Sequence, residues 1–216
     1  HLSIRRQRQM CIRDRSKTRR YEKKVEASLR EYFENLGEKV KVESPWIAFK
    51  GEAAGKYSPR VDVGVGPFAC GTERYIQEYN RLTEVSREFL NKLLHLFQEN
   101  SKNFSFGTGI PVDCKRFNNI NENARCLMAI EIEKSGTRKH RLGDIVNACS
   151  LGRAGLIIAW DKPTLNSFLK IVEYFAFLKG VDKPTYETKN LIAVSKRQFD
   201  ACIKATGDNY GRRKQN

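Results

Sequence analysis

Apolar side chains recur every three or four positions in the first part of the chain, which is the pattern of an amphipathic helix. The stripe consists of Tyr21, Val25, Leu29, Tyr32, Phe33 and Leu36. Gly37 follows immediately, and glycine is a common stop signal just past the end of a helix. The spacing therefore predicts a helix over 21–36.

Strand patterns follow this helix. Residues 39–49 combine alternating charged and apolar side chains with an apolar run, which predicts a bent strand or a hairpin around Pro45. Strict alternation over 60–66 predicts another strand and places Asp62 on the face opposite the apolar side chains. The apolar face carries Val61, Val63 and Val65.

The middle of the chain changes pattern twice. Helical spacing over 73–98 predicts one long helix. Residues 99–124 are rich in Asn, Gly, Ser and Phe and predict an irregular connection, within which 110–112 is a candidate short strand. Alternation over 127–133 predicts a strand on which Glu131 and Glu133 share one face.

Helix and strand patterns alternate through the rest of the chain. They predict a helix over 142–152, a fully buried strand over 156–160, a helix from Pro163 to Phe175, a strand over 191–194 and a helix over 195–203. This alternation is typical of an α/β domain with a central mixed sheet flanked by helices. We expect one domain over 19–206, with the helix at 73–98 as an insertion, and a basic tail at 207–216.

The charge balance points to a polyanionic partner. The 216 residues carry a formal net charge of +15, which suits nucleic acid. No stretch approaches the roughly 18 apolar residues of a membrane-spanning helix. Residues 1–20 also lack the apolar middle of a signal peptide. We therefore expect a cytoplasmic protein that does not bind a membrane.

About half of the excess charge lies in residues 1–20, which hold eight basic side chains and one acid. The run 5–15 has no hydrophobic periodicity and resembles the peptide obtained when sequencing-adapter DNA is translated at the end of a contig. The alternative is a basic arm that becomes ordered on phosphate. We expect residues 1–18 to be a disordered segment and an artefact rather than part of the domain.

Cysteine and glycine spacings exclude two kinds of site. The six cysteines are scattered, with no C-x-x-C pair and no histidine at zinc-finger spacing. Gly64, Gly66 and Gly71 are not followed by the lysine and hydroxyl residue of a phosphate-binding loop. We therefore expect reduced thiols, no structural zinc and no organic cofactor.

The acids on the predicted strands carry the most informative chemistry. Glu131 and Glu133 are two residues apart on an otherwise apolar strand. Two ionised carboxylates on one face of such a strand repel each other and are poorly hydrated. A hard divalent cation would resolve this conflict, and a third acid, Asp62, would complete the site. The simpler interpretation is a solvated face of an antiparallel strand.

The element order and these acids together resemble the PD-(D/E)XK, or restriction-endonuclease-like, nuclease superfamily over residues 21–160. The family core is a helix, three strands, a helix and a strand, with an acid on the second strand and an acid-x-Lys or acid-x-acid pair on the third. Here Pro-Arg-Val-Asp at 59–62 looks like the first half-motif, and Ile-Glu-Ile-Glu at 130–133 looks like the second. The resemblance implies a restriction-endonuclease-like αβββαβ core with an inserted long helix.

The third motif position departs from the commonest pattern. Glu133 stands where most members have lysine, and this acid-x-acid variant is known within the family. Alternation sends Lys134 to the opposite face of the strand, so we do not expect it to substitute directly. Lys139, at the start of the next helix, is the candidate for the missing cation.

The first acid has a rival. The interval between Asp62 and Glu131 is long, and Asp113 lies within it. We favour Asp62 because its strand alternates cleanly, whereas Asp113 is in a loop-like context. Glu26, on the first helix, resembles an acid that several family members carry there.

The resemblance implies a role for each candidate. Asp62 and Glu131 would bind Mg²⁺ (or Mn²⁺), with the backbone carbonyl of Ile132 as a further ligand. Glu133 would orient or deprotonate the attacking water, and Lys139 would stabilise charge on the phosphate.

Other residues near the motif are candidates for contacts with DNA or for accessory roles. The basic ones are Arg60, Arg138, Lys139 and Arg141. His140 is an accessory candidate, although a lone histidine is more often a surface or hydrogen-bonding residue. Asp144 and Asn147 lie three apart on the next helix and either face the site or serve capping and solvation.

These features favour a Mg²⁺-dependent DNA endonuclease of the restriction or phage-defence kind. Cleavage of both strands needs two active sites, so we expect a homodimer with a two-fold axis, and the inserted helix is the candidate interface. The alternative is a nuclease-like module that has lost catalysis and only binds nucleic acid. A third hypothesis is a basic scaffold protein without a metal.

Overall fold

The computed structural model describes residues 2–49, 58–118 and 120–213, and the side chains of 16–49, 58–118 and 120–207. The helices are α1 (Leu2–Asn35), α2 (Ile76–Val85), α3 (Arg87–Ser101), α4 (Arg138–Leu151), α5 (Lys162–Gly180) and α6 (Lys196–Arg213). The strands are β1 (Val42–Glu43), β2 (Trp46–Ile47), β3 (Arg60–Val61), β4 (Val63–Val65), β5 (Cys126–Glu133), β6 (Gly152–Ala159) and β7 (Leu191–Ser195). None of the described helices is long and apolar enough to cross a membrane.

The centre of the fold is a five-stranded mixed sheet in the order β1-β4-β5-β6-β7. The pairs β1–β4 and β4–β5 are antiparallel, whereas β5–β6 and β6–β7 are parallel. Helix α4 connects β5 to β6, and α5 lies between β6 and β7 in the chain, as parallel neighbours require. The predicted α/β class, with a mixed sheet flanked by helices, is confirmed.

The two longest strands form the middle of the sheet because both of their faces are apolar. Every residue of β6 is buried, and the apolar run over 156–159 predicts this for the second half of the strand. In β5, Met128, Ile130 and Ile132 pack into the main core, and Ala129 packs into a smaller cluster with Trp46 and Val61. Glu131 therefore lies in a strand that has no solvated face along most of its length.

The segment around Asp62 is not the single strand that alternation predicts. The chain bends at Asp62, so that β3 pairs with β2 in a separate two-stranded sheet while β4 joins the main sheet. As a result, Val61 packs in the smaller cluster, whereas Val63 and Val65 pack in the main core. The same division separates the predicted hairpin around Pro45, because β1 and β2 belong to different sheets.

The inserted segment differs from the expected single helix over 73–98. It contains two helices, α2 and α3, which meet at Ser86. The hydroxyl of Ser86 donates to the carbonyl of Leu82 at 2.6 Å, and this type of bond often bends a helix. In the connection that follows, the described residues form two 3-10 helices, Ser105–Gly107 and Cys114–Phe117, and no strand at 110–112.

Both ends of the chain are more helical than expected. Helix α1 begins at Leu2, so residues 2–18 are helical rather than disordered, and no glycine or proline precedes Gly37 to stop the helix. Helix α6 continues to Arg213 through most of the expected tail. Residue 1 and residues 214–216 of the two predicted terminal segments lie outside the described residues.

Candidate active site

An acidic cleft of about 730 Å³ opens where β5 ends. Asp62, Glu131 and Glu133 all line it, so the three acids chosen from the sequence face one space. The other side chains and backbone around it are Thr18, Arg19, Glu22, Arg60, Ile132, Lys134, Ser135, Gly136, Thr137, His140, Asp144 and Asn147. Helix α1, the bend at Asp62, the end of β5 and the start of α4 thus meet here.

Hydrogen bonds in both directions join Asp62 to the segment that carries Glu131. The pair Val63 and Ile130 is in antiparallel register, which places Asp62 opposite Glu131. The Asp62 Oδ2 atom accepts from the backbone N–H of Ile132 at 2.8 Å, and the backbone N–H of Asp62 donates to the Glu131 carboxylate. The bend ends the hydrogen-bonded pairing of β4 with β5. The Asp62 carboxylate therefore accepts from the Ile132 N–H in place of a strand carbonyl.

Burial makes these two carboxylates costly to ionise. The pKa of Asp62 is raised by burial, against the lowering effects of the Ile132 hydrogen bond and the Arg60 charge. The pKa of Glu131 lies well above its usual range because of burial, and the charges of Asp62 and Asp144 raise it further. Two acids in this state favour the uptake of a proton or a cation.

The acid that α1 contributes is Glu22 rather than Glu26. Glu22 lines the cleft, and its pKa is raised to about 7 by burial and by the charge of Asp62. The Glu26 carboxylate instead pairs with Lys23 and Arg30, both at 2.8 Å. The sequence pattern does not distinguish Glu22 from Glu26, because each directly follows a buried member of the stripe, Tyr21 or Val25.

Helix α4 adds Asp144 and Asn147, which both face the cleft. Asn147 Nδ2 donates to Glu131 Oε1 at 3.3 Å. The pKa of Asp144 is raised to about 8 by burial and by the charges of Glu133 and Asp62. Its Oδ2 atom is buried and has no hydrogen-bond partner among the described residues.

Glu133 is engaged with the turn that follows β5. Its Oε1 atom accepts hydrogen bonds from the backbone N–H groups of Ser135 and Gly136. A Cβ atom at Gly136 would clash with the Glu133 carboxylate, so a side chain at this position would displace that carboxylate from the turn. The turn also ends the alternation of the strand, and Lys134 consequently lines the cleft instead of facing away from it.

The basic and accessory candidates separate into several places. Arg60 is exposed and lines the cleft, whereas Arg138 and Lys139 line a different groove of about 530 Å³ between α4 and α5. Arg141 reaches α5, where its Nη1 donates to Ser167 Oγ at 2.8 Å. The structure therefore does not bring Lys139 to the acids.

Two accessory candidates have structural roles at chain turns. His140 lines the cleft, but its Nδ1 atom and backbone take part in the capping box of α4 with Thr137. Asp113 accepts from the backbone N–H of Lys115 at 3.0 Å and caps a 3-10 helix away from the cleft. The rival first acid is thus not part of this site.

The side chains of the cleft fit a hard cation that is bound by two carboxylates. They do not form a site with three carboxylate ligands among the described residues. In the part of the chain that the structure describes, no three His, Cys, Asp or Glu side chains converge closely enough to hold a metal. Mg²⁺, however, is usually bound through one or two carboxylates together with waters and phosphate oxygens. Asp62 and Glu131 supply two such carboxylates, and the unpartnered Oδ2 of Asp144 is a further acceptor nearby.

Comparisons of the chain with protein-family models, with curated proteins and with solved structures give no match. A functional inference therefore depends on the chemistry of the cleft.

Proposed function

We propose that the protein is a Mg²⁺-dependent endonuclease that hydrolyses phosphodiester bonds in DNA, of the restriction or phage-defence kind. The observation that carries this proposal is the interlocked pair Asp62 and Glu131, whose carboxylates face a cleft. Burial raises the pKa of both, and the charge of Asp62 raises that of Glu131 further. Such a pair is unfavourable unless a cation lies between its members. A divalent metal is a cation that would also allow the pair to take part in phosphodiester hydrolysis.

The order of elements supports the family resemblance. Helix α1, strands β1, β4 and β5, helix α4 and strand β6 follow one another as in the core of the PD-(D/E)XK superfamily. Asp62 immediately precedes the second of these strands, and Glu131 and Glu133 lie on the third. The short sheet β2–β3 and the helices α2 and α3 are additions to that core.

Each residue of the cleft has a role in the proposed reaction. Asp62 and Glu131 bind the Mg²⁺ ion, with the carbonyl of Ile132 as the further ligand expected from the sequence. When bound there, the metal lowers the pKa of a water and neutralises charge on the scissile phosphate. Glu133, fixed by the turn, orients the attacking water or accepts its proton.

The cation that stabilises the phosphate must come from a residue that lines the cleft. Lys139 lines the other groove, so the role expected for it passes to Arg60 or Lys134. Arg60 is exposed beside Asp62 and lowers the pKa of that carboxyl. Its guanidinium group suits a phosphate because it offers several donors in a fixed plane.

A plasmid assay tests the proposed function. The protein is incubated with supercoiled plasmid DNA at neutral pH, once with Mg²⁺ and once with EDTA. Nicked or linear products in the Mg²⁺ sample alone support the endonuclease. Salt-sensitive binding without cleavage would instead indicate an inactive nuclease-like module, and neither binding nor cleavage would indicate a scaffold protein.

Asn147 is expected to tune the metal site through Glu131. Replacing Asn147 by leucine removes the hydrogen bond to Glu131 Oε1, and loss of such a supporting bond typically costs about 10- to 100-fold in metal affinity or activity. We expect the Mg²⁺ concentration for half-maximal cleavage to rise by about tenfold or more.

The matched control is Asn118→Leu, an asparagine outside the cleft. Its half-maximal Mg²⁺ concentration should equal that of the wild type. An unchanged metal requirement in Asn147→Leu would show that the bond to Glu131 has no part in the site.

A further inference from the structure

A basic and aromatic surface adjoins the acidic cleft and shares Lys134 with it. We name it the lysine platform and define it as Lys24, Lys134, Trp160 and Lys196, with Tyr21 and Asp200 beneath. The parallel strands β5, β6 and β7 all end at this edge of the sheet. Lys134, Trp160 and Lys196 each directly follow one of these strands, which is why residues distant in sequence meet here.

Aromatic rings hold two of the ammonium groups in place. Lys134 Nζ lies 5.3 Å and Lys196 Nζ 5.5 Å from the centroid of the Trp160 ring. Lys196 Nζ is also 4.5 Å from the centroid of Tyr21, whose ring meets Trp160 edge-on at 5.6 Å. Cation–π contacts of this kind orient lysine side chains without neutralising their charge.

The platform keeps an excess of positive charge. Lys24 and Lys196 both pair with the same acid, Asp200, at 3.0 and 3.2 Å. Lys134 adds a third ammonium group over the same tryptophan ring. Two cations that share a single carboxylate, Lys24 and Lys196, keep a net positive charge, which a bound anion neutralises.

The platform is continuous with the cleft. Helix α1 presents Thr18, Arg19 and Glu22 to the cleft, and Tyr21 and Lys24 to the platform. Lys134 belongs to both, because it lines the cleft and contacts the Trp160 ring. A polyanion lying across the platform therefore passes directly over the acids.

We propose that the lysine platform is a phosphate clamp that binds the DNA backbone next to the point of cleavage. Lys134 and Lys196 contact phosphates, and Trp160 fixes the positions of their ammonium groups. The identity of the partner rests on the proposed function, but binding by the clamp requires neither a metal nor cleavage. The clamp also explains how a cleft with so many acids attracts a polyanion, since its positive charge lies directly beside them.

Binding measured in EDTA separates the clamp from the catalytic proposal. A fluorescent DNA duplex of about 20 base pairs is titrated with protein at several salt concentrations, and the anisotropy gives the Kd. Each phosphate contact contributes about 0.9 to the slope of log K against log salt. The variant Lys134→Ala/Lys196→Ala should therefore lower the slope by about 1.8, so that its affinity falls about twelvefold less than that of the wild type between 50 and 200 mM salt.

The matched control is Lys183→Ala/Lys189→Ala. Both lysines follow α5, whereas Trp160 precedes it, and 19 helical residues separate the two ends by roughly 27 Å. This variant removes the same charge far from the platform and should keep the wild-type slope. Melting temperatures close to that of the wild type would show that both double variants are folded.

The outcomes are distinct. A lower slope in Lys134→Ala/Lys196→Ala alone supports the clamp, even if the wild-type protein fails to cleave DNA with Mg²⁺. Equal slopes in the wild type and both variants would overturn the clamp, even if cleavage is observed. Equal losses in the two variants would also overturn it, because binding would then follow net charge rather than this surface.

Discussion

Replacing Glu131 by glutamine or Asp62 by asparagine is expected to reduce Mg²⁺-dependent DNA cleavage by about a thousandfold or more, equivalent to roughly 4 kcal/mol of transition-state stabilisation. Both substitutions keep the size of the side chain and remove one of the two anionic ligands. Glutamine at 131 can still accept the hydrogen bond from Asn147, and asparagine at 62 can still accept from the Ile132 N–H. The fold should therefore persist while the metal is lost.

Controls for these variants come from acids that lie outside the cleft. Glu26→Gln and Asp113→Asn remove carboxylates that pair with basic side chains or cap a turn. Initial rates of plasmid nicking should stay within about threefold of the wild type for both, since exposed pairs of this kind contribute little. Full activity in Glu131→Gln and Asp62→Asn would remove both residues from the mechanism.

The metal-free protein is expected to lose stability as the pH rises from about 5 to about 8. The pKa of Glu22 is raised to about 7 and that of Asp144 to about 8, in both cases chiefly by burial. For an acid whose pKa is raised by folding, the unfolded chain releases its proton first, so an increase in pH favours unfolding. The loss begins near the unfolded pKa values, about 4, and is complete above the folded ones.

The pKa of Asp144 is raised from 3.8 to about 8. At 1.36 kcal/mol per pKa unit, even half of this rise corresponds to a loss of about 3 kcal/mol in the free energy of unfolding. Urea unfolding followed by circular dichroism in EDTA, at about pH 5 and about pH 8, measures this difference. Asp144→Asn should reduce the pH dependence, and an excess of Mg²⁺ should reduce it in the wild type. Stability that rises over the same range would mean that salt-bridged acids, not the cleft, dominate the titration.

The central strands were predictable because burial dictates their composition. Over 156–159 strand β6 is apolar on both faces, and β5 is apolar apart from its two glutamates. The predicted boundaries are therefore within a few residues of the observed ones. The same burial is what made Glu131 conspicuous in the sequence.

The bend at Asp62 was not predictable from alternation. Val61, Val63 and Val65 alternate as a single strand would, yet they pack in two different clusters. The break depends on the hydrogen bond from Ile132 to Asp62, which joins residues 70 positions apart. A local pattern carries no information about a contact of that kind.

Other differences arise where a turn changes the direction of a side chain. Alternation predicts Lys134 on the far face of β5, but the strand ends at Glu133 and the turn brings Lys134 to the cleft. The family resemblance implies Lys139 near the acids, but this residue follows the cap of α4 and lies over the groove toward α5. On α1 the difference has another cause. Glu22 and Glu26 are one helical turn apart on the same face, so the sequence does not show which of them reaches the cleft.

The most direct test of the account is a calorimetric titration of the metal-free protein with Mn²⁺ near neutral pH. The wild type and the double variant Asp62→Asn/Glu131→Gln are compared after circular dichroism has shown that both are folded. We predict saturable Mn²⁺ binding by the wild type, and none by the double variant over the same concentration range. Equal binding by the two proteins, or the absence of binding by the wild type, would contradict a metal site built on Asp62 and Glu131.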